Sequence, residues 1–129
     1  MALATQLSIQ VENKRGALAE VCSELAKVAV NILGISVPAL PGKSSIRIVA
    51  KPVETAKKVL EKMGLPFKEE TVLTVHLPER PGALGRVTRK LADKGIDVLY
   101  AYGTIEHGSE RAMVVMGVSD PAAASQFVK

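Results

Sequence analysis

Residues 12–33, ENKRGALAEVCSELAKVAVNIL, and residues 78–99, PERPGALGRVTRKLADKGIDVL, align without a gap at an offset of 66. Identities fall at Gly16/Gly82, Ala17/Ala83, Leu18/Leu84, Val21/Val87, Leu25/Leu91, Ala26/Ala92 and Leu33/Leu99. These are turn or helix-core positions, which a duplicated supersecondary unit retains. Upstream of each copy the apolar period is two. Leu7, Ile9 and Val11 alternate with Ser8 and Gln10, and Leu73, Val75 and Leu77 alternate with Thr74 and His76, so each predicts a half-buried strand. Past the glycine the period becomes helical. Leu18, Val21, Cys22 and Leu25 in one copy, and Leu84, Val87, Thr88 and Leu91 in the other, turn one face toward a core.

Working outward, residues 32–37 and 98–105 are rich in β-branched or aromatic residues and predict strands. They are followed by Pro41-Gly42 and His107-Gly108-Ser109, loops suited to hairpins. Residues 46–50 and 112–117 supply the returning strands. Residues 53–63, closed by Gly64, predict a second helix, and Pro121 opens its counterpart. The first copy adds a fourth short strand over 67–70, and the second has none because the chain stops at Lys129.

The expected fold is α+β, a ferredoxin-like βαββαβ sandwich in two tandem copies, residues 1–70 and 71–129, the second lacking its last strand. That exposed edge would need covering. A unit of about 60 residues is near the lower limit of independent folding, so the two copies are expected to need each other. In strands 46–50 and 112–116 both alternating sets are largely apolar. The side away from the helices is therefore expected to pack on the sister copy or on a second chain, and a homodimer is the expectation.

Composition narrows the function classes. Of 129 residues, 47% are hydrophobic and 23% charged, which excludes a disordered chain. No apolar run approaches the roughly 18 residues that span a bilayer, and the start lacks a secretory signal, so no membrane association and a cytoplasmic location are expected. Cys22 is the single cysteine, which leaves no disulfide framework and no thiolate metal cluster. The net charge of +4 lies in residues 1–65, which hold nine Lys/Arg against five Asp/Glu, while 66–129 hold eight of each. Without a dense basic block or stacking aromatics, nucleic-acid binding is not expected.

The order of strand, N-x-x-G-A-L or E-R-P-G-A-L turn, amphipathic helix, then N-I or D-V opening a strand, resembles the ACT domain, a regulatory module of amino-acid metabolism. The resemblance covers nearly the whole chain, twice. It implies a small-molecule effector, commonly an amino acid, held near the first turn at an interface between modules. On this sequence the implied contacts are backbone N–H groups at Gly16, Ala17 and Leu18 and at Gly82, Ala83 and Leu84. The implied polar partners three before and fifteen after each glycine are Asn13 and Asn31, and Glu79 and Asp97.

Elementary chemistry supports such a turn independently of the resemblance. A glycine between strand and helix allows a tight turn and close ligand approach, and the helix start offers unpaired donors to an anion. The bland alternative is that each glycine only makes the turn. The copies also differ. Asn13 and Asn31 can donate to a carboxylate and accept from an ammonium, whereas ionised Glu79 and Asp97 only accept. Lys14 and Arg15 add positive charge in the first copy, where Arg15 replaces the rigid Pro81 of the second. The Asn13/Asn31 site is therefore expected to bind the ligand, and the Glu79/Asp97 site to be structural or to prefer a more cationic ligand.

Other candidates read as packing or solvated groups. Cys22 is expected to be a buried structural thiol. His76 projects from the sheet face opposite the helices, and His107 sits in a hairpin loop; neither has the spacing of a metal site. Tyr100 and Tyr102, where the first copy has Gly34 and Ser36, either wall a pocket or pack. The leading expectation is a non-catalytic regulatory module without cofactor, acting on a separate enzyme or regulator. A structural dimerisation unit is the second class. A small hydrolase of the acylphosphatase kind, using an arginine-bearing phosphate loop at Arg15, is the third.

Overall fold

The computed structural model describes residues 2–12, 14–38, 43–78, 80–105 and 111–127. The elements run β1 (Ala2–Glu12), α1 (Ala17–Lys27), β2 (Asn31–Ser36), β3 (Lys43–Lys51), α2 (Val53–Lys62), β4 (Phe67–Pro78), α3 (Ala83–Asp93), β5 (Val98–Ile105), β6 (Arg111–Val118) and α4 (Pro121–Phe127). The chain divides into two compact units, Thr5–Glu70, and Met1–Ala4 with Thr71–Lys129. Each is an α+β unit of the ferredoxin-like kind. The two expected hairpin loops, Pro41-Gly42 and His107-Gly108-Ser109, lie outside the described residues.

In the first unit β3 pairs antiparallel with β1 (Leu7 opposite Ile48, Ile9 opposite Ile46) and with β2 (Ile35 opposite Ile48). The start of β4 runs beside β1, where Gln10 N–H donates to the Pro66 carbonyl at 2.9 Å. The alternation read from the sequence sends Leu7, Ile9, Ile46 and Ile48 into one core with Val21, Leu25 and Leu60 of the helices. The other face of these strands is buried too, at Gln6, Ser8, Ser45 and Val49, and the hydroxyls of Ser8 and Ser45 lie 2.9 Å apart.

In the second unit β6 pairs antiparallel with β4 (Leu73 opposite Met116, Val75 opposite Val114) and with β5 (Ala101 opposite Met116). Its core joins Leu73, Val75, Val114 and Met116 to Leu91 and Ala124. The strand that the sequence does not supply at the end of this copy comes from the start of the chain. Residues 2–4 belong to this unit, next to β4, and the Thr74 hydroxyl donates to the Ala2 carbonyl at 3.4 Å.

The strand expected over 67–70 and the strand that opens the second copy are one continuous element, β4. Two further expectations are corrected. The helix faces are narrower than the sequence period suggests: Val21 and Leu25 are buried in α1, but Leu18 and Leu84, in the first turns of α1 and α3, are 39% and 45% exposed. Cys22, beside Val21 on the helix, is half-buried rather than buried. Both faces of β6 are largely apolar, as read, whereas the second face of β3 mixes Val49 with Ser45 and Arg47; Val49 and Val115 are both buried.

Register shows how far the duplication extends. Strand pairs Leu7/Ile48 and Leu73/Met116 are equivalent, which makes the offset 73 − 7 = 66 for the first strands and 116 − 48 = 68 for the third. The helix starts Val53 and Pro121 keep the offset of 68. The second copy thus gains two residues between β5 and β6, and pairs such as Ser36/Arg47 and Tyr102/Val115 remain equivalent.

Candidate functional site

The two glycine turns are near-identical. Gly16 has φ 86° and ψ −3°, and Gly82 has φ 87° and ψ −7°, a left-handed conformation that costs other residues about 1–2 kcal/mol. In the first turn the Lys14 N–H donates to the Glu12 carbonyl at 2.9 Å, the Ala17 N–H to Lys14 at 3.3 Å and the Glu20 N–H to Gly16 at 2.9 Å. In the second the Arg80 N–H donates to Pro78 at 2.9 Å, Ala83 to Arg80 at 3.4 Å and Arg86 to Gly82 at 3.0 Å. The N–H groups of Ala17 and Ala83 therefore close their own turns. Neither helix start has a side-chain cap.

Each turn borders a cavity, and the two cavities differ. The first encloses about 650 Å³ beside the start of α1 and reaches Gly64, Leu65 and Pro66. Its charged walls are of both signs, Glu12 and Glu20 with Lys14 between them in sequence. The second encloses about 530 Å³. Leu77, Ala112 and Val114 of the strands and Pro81 and Leu84 of the turn and helix make it largely apolar, and among the described residues Arg80 is its one charged wall. Ala101 and Gly103 of β5 also line it; their counterparts at the offset of 66 are the larger Ile35 and Val37, although a Cβ at Gly103 would already meet the Met113 carbonyl oxygen at 2.9 Å.

Of the residues singled out from sequence, Asn13 and Glu79 lie outside the described residues. Lys14 and Ala17 line the first cavity, and Pro81, Ala83 and Leu84 the second. Arg15 is exposed on the first turn and lines neither cavity. Asn31 opens β2, opposite Lys51, and also lines neither. Asp97 is engaged with Ser119, whose N–H donates to its carbonyl at 2.9 Å and whose hydroxyl accepts from its N–H at 2.9 Å. Neither residue fifteen positions past a glycine therefore shares a cavity wall with its turn.

Sequence reasoning passed over Glu12, Glu20, Arg80, Ala101 and Gly103. Setting Ala101 against Ile35 in the repeat alignment would have marked this wall. Tyr102 borders the second cavity, but it stands opposite Val115, on the side of the sheet away from Val114 and Met116. The Tyr100 ring packs on Gly117, where a Cβ would collide with it. The equivalent pair in the first copy is Gly34 opposite Val49, so large and small have exchanged strands. His76 is exposed. Among the described residues no group of three His, Cys, Asp or Glu is arranged to hold a metal, and no helix is long and apolar enough to cross a membrane.

The family model described as an ACT domain pair matches residues 1–127. The chain belongs to that family. A solved protein from Bacteroides thetaiotaomicron is 28% identical over 97% of this ACT domain pair and 85% of its own chain, with a TM-score of 0.90. The ligand-free regulatory subunit of aspartate kinase from Thermus thermophilus is 16% identical, over 98% of this chain and 95% of that one, with a TM-score of 0.69. The corresponding subunit from Thermus flavus is 15% identical over 98% and 90%, with a TM-score of 0.66. At these identities the two Thermus subunits share the fold. A search of curated proteins finds no match to the sequence.

Proposed function

We propose that this ACT domain pair is a non-catalytic, cytoplasmic regulatory module that binds an amino acid at the turn of its first repeat. The observation that carries this reading is the mixed charge of the first cavity. A zwitterion needs an acceptor for its ammonium and a cation for its carboxylate, and Glu12, Glu20 and Lys14, which all line the cavity, supply both. The volume of about 650 Å³ suits a small molecule, since such sites measure roughly 300–1,000 Å³. Asn13 and Asn31 remain proposed contributors from the turn and from β2. Binding would act on a separate enzyme or regulator by favouring one assembly or conformation over another.

A homodimer is the proposed assembly. Leu33, Ile35 and Val37 are 49%, 42% and 43% exposed, and a run of apolar residues at a sheet edge favours a covering partner. Thermal melting in the presence of each common amino acid tests the ligand. One amino acid should stabilise the chain, by about 2.7 kcal/mol at 100 times its dissociation constant, and Lys14→Ala should remove the effect. Stabilisation by none of them refutes the reading.

A further inference from the structure

We propose that the cavity of the second repeat binds an apolar monocarboxylate without an ammonium group, of the branched-chain 2-oxo acid class, through its carboxylate on Arg80. The inference rests on reading the chain as a small-ligand module and assigns the second repeat a ligand chemistry of its own. The cavity measures about 530 Å³, within the roughly 300–1,000 Å³ of small-molecule sites.

Its walls are aliphatic, at Leu77, Leu84 and Val114, and among the described residues its one charged wall is Arg80. A guanidinium pairs a carboxylate with two parallel hydrogen bonds. An ammonium carried into the same space would meet no acidic side chain among the described walls, and a charge buried without a partner is costly. The first cavity has acids of that kind, at Glu12 and Glu20. The duplication supplies a second argument. Where the first repeat has Ile35 the second has Ala101, which lines the cavity, so a shorter side chain on this strand leaves space there. Shortening an edge strand forfeits packing, which a ligand that fills the space restores.

Calorimetry on the full chain with leucine and with 4-methyl-2-oxopentanoate, its 2-oxo acid, tests this. The two ligands differ at one carbon, so the ammonium is the variable. The oxo acid should bind the wild-type chain. Arg80→Gln should weaken it roughly 10- to 100-fold, the loss of one charged hydrogen-bonding group. Ala101→Ile, which restores the side chain that the first repeat carries, should abolish it while leaving the melting temperature near that of wild type. If Ala101→Ile does not fold, Arg80→Gln still decides.

Three results would overturn the proposal: no binding of the oxo acid, oxo-acid binding indifferent to both substitutions, or leucine binding that Ala101→Ile removes. Amino-acid stabilisation dependent on Lys14 is scored separately. Its persistence alongside a negative result here would leave the first-repeat reading standing, and its absence alongside a positive one would remove only that reading.

Discussion

The two repeats share a turn down to its hydrogen bonds and differ in what the turn encloses. Gly16 and Gly82 have φ values of 86° and 87°, and the three bonds around each connect equivalent residues. Yet the first cavity carries charges of both signs, and the described walls of the second are apolar apart from one arginine. Backbone geometry survives duplication because every residue of the turn depends on its neighbours. A cavity wall is a set of independent side chains, each replaceable at the cost of its own contacts. In this chain the shared scaffold is the turn, and the difference lies in the side chains around it.

The equivalence of the two scaffolds can be broken most forcibly in the cores. Leu25 and Leu91 occupy the same helical position and are both fully buried. Leu25→Ala and Leu91→Ala should each cost about 2–5 kcal/mol in urea unfolding, and a gap between them as large as that range would show that the cores are not equivalent.

The exchanged pair on the sheet comes next. Gly117→Val should cost about 1–3 kcal/mol by pressing on the Tyr100 ring. The double substitution Tyr100→Gly with Gly117→Val recreates the Gly34/Val49 pair of the first repeat. It should recover part of that loss in a double-mutant cycle, and strict additivity would deny the compensation.

Helix ends provide a sign test. Ala29 has φ 57°, where its counterpart Gly95 has φ 73°. Ala29→Gly should raise the unfolding free energy by about 1 kcal/mol and Gly95→Ala should lower it by a similar amount.

The smallest expected effect is electrostatic. Lys57 of α2 bonds Glu69 at 3.0 Å and Glu54 at 3.1 Å, and these bonds, Glu69 foremost, hold its pKa above 10.5. The equivalent residue at the offset of 68, Ser125, instead donates to the Ala122 carbonyl. A lysine whose pKa is raised on folding contributes stability that is present below 10.5 and lost as pH rises through the folded value. Lys57→Met should therefore lower the urea midpoint slightly at pH 7 and leave it unchanged at pH values above that raised pKa.

Much of the fold was legible in the residues. The period of two in Leu7, Ile9 and Val11, the switch to helical spacing after Gly16 and the recurrence of both 66 residues later predict elements that the structure contains. The site was legible only in part. Lys14, Pro81, Ala83 and Leu84 line cavities, and Asn31 and Asp97, at or just before strand starts, line neither. The exposure of Leu18 and Leu84 was also hidden. Helical spacing says which side chains share a face, and it does not say how much of that face the rest of the chain covers.

By itself the sequence determined the repeat, the element order and the glycine turns, because these depend on local sterics and on periods of two and 3.6 residues that any stretch of chain carries with it. Tertiary structure alone decided that residues 2–4 complete the second unit, and that two equivalent turns border cavities of opposite character. Both outcomes depend on which side chains distant strands bring to one place, and no local period encodes that.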